Sequence, residues 1–137
     1  MTRHGFQQHV RWSDVDSYGH VNNVKYFEYV QEARLAFLQS LAADVTPTGA
    51  ETFVVARQDV DYLRPMRFRS EPFTIESWVT RVGTSSYELE AEIKDGDAVL
   101  ARARTVVVAF DARTQRSRPL RADERSALQR HCDGTRA

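Results

Sequence analysis

Polar and apolar positions alternate over residues 6–12, where Phe6, Val10 and Trp12 fall between Gln7, His9 and Arg11. A period of two predicts a half-buried strand. Residues 13–21 break that period with Asp14, Asp16, Ser17 and Gly19, all turn formers, and Asn22 or Asn23 then stands where a helix N-cap belongs. From Val24 to about Ala42 the spacing becomes helical. Lys25, Glu28, Glu32 and Gln39 trace one narrow polar stripe, and Tyr26, Phe27, Tyr29, Val30, Ala33, Leu35, Phe37, Leu38 and Leu41 cover most of the remaining surface. An apolar arc that wide belongs to a helix wrapped by other structure rather than laid on a surface.

After a loop at 44–51 containing Pro47 and Gly49, extended patterns occupy 53–63, 73–82, 86–94 and 98–110. In the third of them Tyr87, Leu89, Ala91 and Ile93 alternate with Glu88, Glu90, Glu92 and Lys94, which predicts one solvated face. Asp95-Gly96 is a hairpin turn, so the later strands are expected to run antiparallel as a meander. Pro119 opens a short helix reaching about Arg130, and residues 131–137 read as a frayed end. No repeat or linker divides the chain, and residues 1–137 read as a single domain. The order strand, long helix, four strands predicts an α+β fold in which one antiparallel five-stranded sheet curls around the helix. Five strands cover a helix of about five turns only sparingly. A partner that hides an apolar edge strand across a two-fold axis is therefore expected, giving a homodimer or homotetramer.

Composition narrows the function by exclusion. Nineteen basic residues against nineteen acidic ones give no net field for nucleic acid or an anionic membrane. The lone cysteine, Cys132, forms no internal disulfide and points to a reducing compartment. No stretch approaches the roughly 18 apolar residues of a membrane span, so the sequence reads as a soluble cytoplasmic protein. Lysine occurs only at Lys25 and Lys94. The preponderance of arginine reflects either coding bias or a use for its planar fork, which suits phosphate groups.

The chemistry concentrates in RWSDVDSYGHVNNVKYFEYVQEAR, residues 11–34. A calcium loop starting at Asp14 needs an oxygen ligand at its fifth position and a carboxylate at its twelfth, and these places hold Tyr18 and Lys25. Asp14, Asp16 and His20 lack the second nearby histidine and the spacing of a transition-metal site, so no metal is expected. Helix capping explains one asparagine, with an effect of roughly 1 kcal/mol, and leaves both aspartates and the histidine unused. An active site built around a helix N-terminus uses all of them. On the residues alone both readings stand.

The run from Asp14 to Tyr26, DVDSYGHVNNVKY, resembles the signature of hot-dog fold acyl-CoA thioesterases of the 4-hydroxybenzoyl-CoA thioesterase type. The segments VDYLRPMRF and VGTSSYELE also look like that family's second strand and its turn between strands three and four. The ending H-V-N-N is closer to the long-chain acyl-CoA branch than to the aromatic-substrate branch. The resemblance implies hydrolysis of an acyl-CoA to a carboxylic acid and coenzyme A, without a cofactor. Asp16, the second aspartate of D-x-D, would be nucleophile or general base, since an aspartate is an anion at neutral pH. The backbone N–H at Asn23 would be the oxyanion donor at the positive end of the helix. Gly19, His20, Val21 and Tyr26 would lie against substrate, and Gly83, Thr84, Ser85 and Ser86 against coenzyme A. Asp14 is assigned to orienting the loop. Some relatives carry histidine where Asn23 stands, and relatives often put basic residues in the 83–86 turn; this chain has neither. Two alternatives share the pocket: an acyl-carrier-protein thioesterase, and a non-catalytic acyl-thioester or lipid-binding module. The second gains little from an anionic Asp16.

Overall fold

The computed structural model describes residues 3–46 and 51–132. Its elements are β1 (His4–Gln8), a 3-10 turn (Trp12–Asp14), α1 (Lys25–Leu41), a second 3-10 turn (Ala42–Asp44), β2 (Glu51–Tyr62), β3 (Phe73–Val82), β4 (Ser86–Asp95), β5 (Ala98–Asp111), β6 (Arg116–Ser117) and α2 (Ala122–Arg130). Five antiparallel strands form the sheet in the order β1-β3-β4-β5-β2, and the two residues of β6 extend it at the end of β5. The expected meander is β3-β4-β5. β2 instead crosses to the far edge and pairs with β5 from Glu51↔Asp111 to Tyr62↔Ala101. Register shifts at Val55/Arg57, Val79/Arg81 and Ile93/Lys94 mark bulges. Bulges bend a strand and raise its twist, which is what curls this sheet around α1.

Two apolar clusters fill the inner face. The first joins Tyr26, Tyr29, Val30 and Ala33 of α1 to Val10, Ile75, Ala91, Ile93 and Ala103. The second joins Phe37 and Leu41 to Val79, Tyr87, Leu89, Val107 and, from α2, Ala127 and Leu128. Wrapping is incomplete on one side. Phe27 and Leu35 remain 37% and 47% exposed, as do Val54 and Val55 on the free edge strand β2 at 37% and 44%. Arg34, by contrast, is buried at 8% exposure although the helical pattern counted it with neither stripe.

The outer face is charged without being wet. Glu90 and Glu92 are only 5% and 7% exposed, because arginines from neighbouring strands lie across them: Arg104 Nη2 is 3.2 Å from Glu90, and Arg102 Nε is 3.2 Å from Glu92. Arg3 bridges Glu76 and Glu92 at 3.0 and 3.3 Å. Cross-strand pairs of opposite charge support the sheet, and the apolar stems of arginine cover the surface around them. Three of the arginines are spent here.

Three boundaries differ from the sequence expectation. The first strand stops at Gln8 and Trp12 opens the 3-10 turn instead. α2 starts at Ala122, where the Arg121 N–H donates to the Glu124 carboxylate at 2.9 Å, so Pro119 lies in the approach to the helix. His131 and Cys132 are not frayed: the Val79 N–H donates to the His131 carbonyl at 2.9 Å, and Cys132 bridges to Val79. Pro47, Gly49 and the tail at 133–137 lie outside the described residues.

Phe37 is fully buried in the second cluster, with the rings of His4 and His131 edge-on at 6.0 and 5.2 Å. Phe37→Ala is expected to lower unfolding stability by about 3–5 kcal/mol through lost burial and the cavity left behind, measured by urea denaturation.

Candidate active site

The segment between β1 and α1 folds into a small hairpin. Val15 and Val21 form an antiparallel bridge, the Asp16 N–H donates to the His20 carbonyl at 2.9 Å, and the Gly19 N–H donates to the Asp16 carbonyl at 3.0 Å. Gly19 adopts φ +80, a conformation that glycine reaches without steric cost. The returning leg feeds directly into α1, and the Asn22 N–H donates to the Asp14 carbonyl at 2.8 Å. Asp16 and the start of the helix thus belong to two legs of one hairpin. Its outer side is tied down by the segment before β3, where the Val21 N–H donates to the Met66 carbonyl at 2.8 Å and His20 bridges to Arg67.

Asp14 and Asp16 have opposite fates. Asp14 is 1% exposed. Its carboxylate accepts the Tyr29 hydroxyl at 2.6 Å, the Arg11 guanidinium at 3.1 and 3.3 Å and the Arg11 N–H at 3.3 Å, with Lys25 Nζ 3.9 Å away. Burial by itself pushes this carboxyl up, but the bonds from Tyr29 and Arg11 outweigh it and hold the group below its ordinary value. The same burial, then the bond to Asp14, push the Tyr29 hydroxyl well up, so it stays a donor. Asp14 anchors the loop mainly through side-chain donors, with the Arg11 N–H as its one backbone donor among the described residues. Asp16 is exposed. One of its oxygens accepts the Tyr18 N–H at 2.9 Å in an Asx-turn, and the other takes no hydrogen bond among the described residues.

Around Asp16 lies an open cleft walled by Trp12, Val15, Ser17, Gly19, Arg67 and Phe68. Trp12 and Phe68 meet edge to face at 5.2 Å and remain 74% and 44% exposed. At the start of α1 the orphan donors are unequally satisfied. Asn22 takes two of them: its side-chain oxygen accepts the Val24 N–H at 3.1 Å and its carbonyl the Lys25 N–H at 2.9 Å. The Asn23 N–H has no partner among the described residues, and the Asn23 carbonyl is held by the Tyr62 hydroxyl of β2 at 2.9 Å. Of the two candidate caps, Asn22 does the capping and Asn23 is left with an open donor.

The remaining sequence candidates separate. Gly19 lines the cleft and His20, half-buried, forms the leg behind it. Val21 and Tyr26 are core, at 4% and 3% exposure, and Tyr26 places its hydroxyl on the Met66 N–H at 3.2 Å and its ring against Tyr62. They brace the hairpin from beneath. Gly83, Thr84, Ser85 and Ser86 connect the end of β3 to β4, whereas the cleft neighbours the start of β3. The turn is closed on itself, with the Gly83 N–H on the Ser86 carbonyl and the Arg125 guanidinium on the Gly83 carbonyl. One chain does not bring turn and cleft together. Trp12 and Phe68 were not singled out as site residues in the sequence; an apolar residue beside the D-x-D run was the available signal.

Because its folded pKa is depressed, Asp14 contributes stability that is present above its ordinary value of 3.8 and is lost as pH falls through the folded value. Asp14→Ala is expected to cost about 3 kcal/mol at neutral pH, since three donors lose a buried acceptor. The gap between wild type and variant should close below about pH 4, measured by urea titrations across pH.

A family model described as the thioesterase-like superfamily matches residues 10–128. The long-chain acyl-CoA thioesterase FadM of Escherichia coli is 31% identical over 123 residues, which cover 88% of this chain and 92% of that protein. An uncharacterized Bacillus subtilis protein, YsmA, is 37% identical over 81 residues, 58% of this chain and only 53% of that protein's length. Among solved structures, a predicted thioesterase from Bacillus stearothermophilus superposes with a TM-score of 0.84 at 26% identity, over 95% of this chain and 96% of the other. A thioesterase from Thermus thermophilus in complex with coenzyme A and zinc gives 0.76 at 27% identity, over 91% of each. A helix wrapped by this sheet, a hairpin presenting Asp16 at its N-terminus and a family match over most of the chain agree: the chain belongs to the thioesterase-like superfamily.

Proposed function

We propose that the chain hydrolyses an acyl-CoA thioester to a carboxylic acid and coenzyme A, with the carbonyl oxygen bound at the Asn23 N–H and the Asp16 carboxylate facing the carbonyl carbon. One observation carries this reading: the hairpin that presents an open carboxylate oxygen in a cleft also leads into a helix whose first turn leaves one N–H unused. As the thioester carbon becomes tetrahedral its oxygen gains negative charge, and a preorganised N–H at the positive end of α1 favours that charge over the neutral ground state. Asp16 either takes the proton of an attacking water or adds to the carbon itself, expelling the coenzyme A thiolate and leaving an anhydride for water to open. Trp12 and Phe68 supply an apolar wall for the arm of the substrate, and Arg67 a cation at the mouth of the same cleft.

The identities of FadM and of the coenzyme A-bound relative support a coenzyme A ester as substrate. The exposed apolar residues of β2 and of the neighbouring face of α1 support a two-fold partner that covers this edge. Contact between coenzyme A and the 83–86 turn then belongs to an assembly, since the turn and the cleft lie apart within one chain. The single cysteine supports a cytoplasmic setting.

Asp16→Asn keeps the size of the side chain and removes its charge; kcat toward acyl-CoAs should fall at least about 100-fold, read by thiol release. Asn23→Pro tests the donor, because proline is tolerated in the first turn of a helix and has no N–H, and the exposed Asn23 side chain it also removes makes no hydrogen bond among the described residues. A loss of about 10²–10³ in kcat with an unchanged circular dichroism spectrum is expected. Undiminished turnover by Asp16→Asn would refute the assignment.

A further inference from the structure

The peptide unit that follows the open Asn23 donor is held at both ends. Its N–H, on Val24, donates to the Asn22 side-chain oxygen at 3.1 Å, and its carbonyl, on Asn23, accepts the Tyr62 hydroxyl at 2.9 Å. The two contacts differ in origin. Asn22 belongs to the same turn and moves with it, whereas Tyr62 is the last residue of β2 and reaches the helix from the sheet. Within the turn the Asn23 carbonyl is held only loosely. Lys25, Tyr26 and Phe27 donate to the carbonyls three residues back, those of Asn22, Asn23 and Val24, at 2.9, 3.3 and 3.2 Å, so the bond to Asn23 is the longest of the three. A turn tightened in this way has poorer hydrogen-bond geometry than the α-helix it leads into. Among the described residues the Asn23 backbone accepts hydrogen bonds from Tyr26 and Tyr62, and the shorter one comes from outside the turn.

Tyr62 is itself fixed. Its backbone pairs with Ala101 of β5, and the next two residues, Leu63 and Arg64, both donate to the Leu100 carbonyl at 2.9 Å. Its ring meets the Tyr26 ring edge to face at 4.9 Å, and Tyr26 is 3% exposed with its hydroxyl accepting the Met66 N–H. A phenol is protonated at neutral pH and able to donate. One neutral hydrogen bond adds little net stability to a fold. A bond that fixes the direction of a catalytic donor is felt in the rate instead, because a displacement of about 1 Å can cost about 100-fold.

We infer that Tyr62 is a positioning residue for the reaction: its hydroxyl fixes Asn23 against the sheet and so aims the Asn23 N–H at the carbonyl oxygen of the substrate. The inference rests on the placement of the thioester carbonyl at Asn23. The N–H and the carbonyl of Asn23 flank one Cα, so a swing at the carbonyl end turns the backbone that carries the donor. The peptide unit that contains the donor is held at its own oxygen by the Lys25 N–H at 2.9 Å, a bond internal to the turn. Tyr62 adds the reference to the sheet, and a donor held by supporting hydrogen bonds needs no reorganisation when the oxyanion forms.

The test is a double-mutant cycle on thiol release from acyl-CoAs, using Tyr62→Phe, Asn23→Pro and the two together. Phenylalanine keeps the ring against Tyr26 and removes only the hydroxyl. Tyr62→Phe should lower kcat by about tenfold and leave KM within about twofold, the pattern of an interaction that matters in the transition state alone. In the Asn23→Pro background, where no donor remains to be aimed, the same change should cost less than about twofold. A merely structural contact would lower the melting temperature and leave kcat per folded molecule unchanged. Unchanged kcat in Tyr62→Phe, a rise in KM alone, or an equal loss in both backgrounds overturns the inference. If Asn23→Pro does not fold, the split between kcat and KM in Tyr62→Phe decides by itself. An impaired Asn23→Pro beside a full-rate Tyr62→Phe overturns only the role of Tyr62. A full-rate Asn23→Pro, or a wild type that turns over no acyl-CoA, overturns the placement of the oxyanion and the role of Tyr62 with it.

Discussion

The 2.6 Å bond from the Tyr29 hydroxyl to the Asp14 carboxylate is the constraint on which the site depends. A buried carboxylate is tolerated only when its oxygens are satisfied, and here the donors come from three places: the turn leaving β1, the first helical turn through Lys25, and the second turn of α1 through Tyr29. Satisfying Asp14 therefore fixes where the hairpin leaves the sheet and how it enters the helix. Asp16 inherits its position. Two residues apart on a plain strand, both carboxylates would share a face, but Asp14 ends a 3-10 turn and Val15 is extended, with φ −96 and ψ 134. That change of backbone between them sends one carboxylate inward and presents the other in the cleft.

The same constraint governs the electrostatics at the head of α1. Asn22 occupies two of the orphan donors, and Tyr62 reaches from the end of β2 to fix the Asn23 carbonyl. A cap that satisfied every donor would stabilise the helix slightly more and leave no group for an incoming oxyanion. In the proposed reaction, stability and function compete over a single N–H, that of the second asparagine of the pair.

The sequence made the strands and the wrapped helix legible because their signals are local: period two along β4, extended apolar patterns along β3 and β5, a hairpin at Asp95-Gly96, and an apolar arc over α1. The place of β2 was not legible. Its pairing with β5 is a contact between segments far apart in the chain, and no residue within β2 announces which edge it joins. In the loop, residue types pointed to chemistry, but only burial distinguishes the anchor Asp14 from the open Asp16, or the bracing Tyr26 from a wall of the cleft. Arg34 escaped the helical reading for a related reason. A hydrophobic pattern scores arginine as polar and places it outside; its enclosure emerges only when the strands have closed around it.

Incomplete wrapping connects these features. A helix buried on every side by one chain would need more strand than the five that are present, so the edge beside β2 stays apolar and open at Phe27, Leu35, Val54 and Val55. An exposed apolar edge strand is an aggregation hazard unless it is covered, and the proposed two-fold partner would cover it with the same surface on both sides. Asn23, Phe27, Val30 and Arg34 follow one another along one face of the helix, and exposed Phe27 adjoins this open side. A path for an acyl chain along that face would have the helix for one wall and a partner for another. The hairpin and the Tyr62 hydroxyl hold the first turn of the helix beside the cleft, where the proposed reaction needs its open donor.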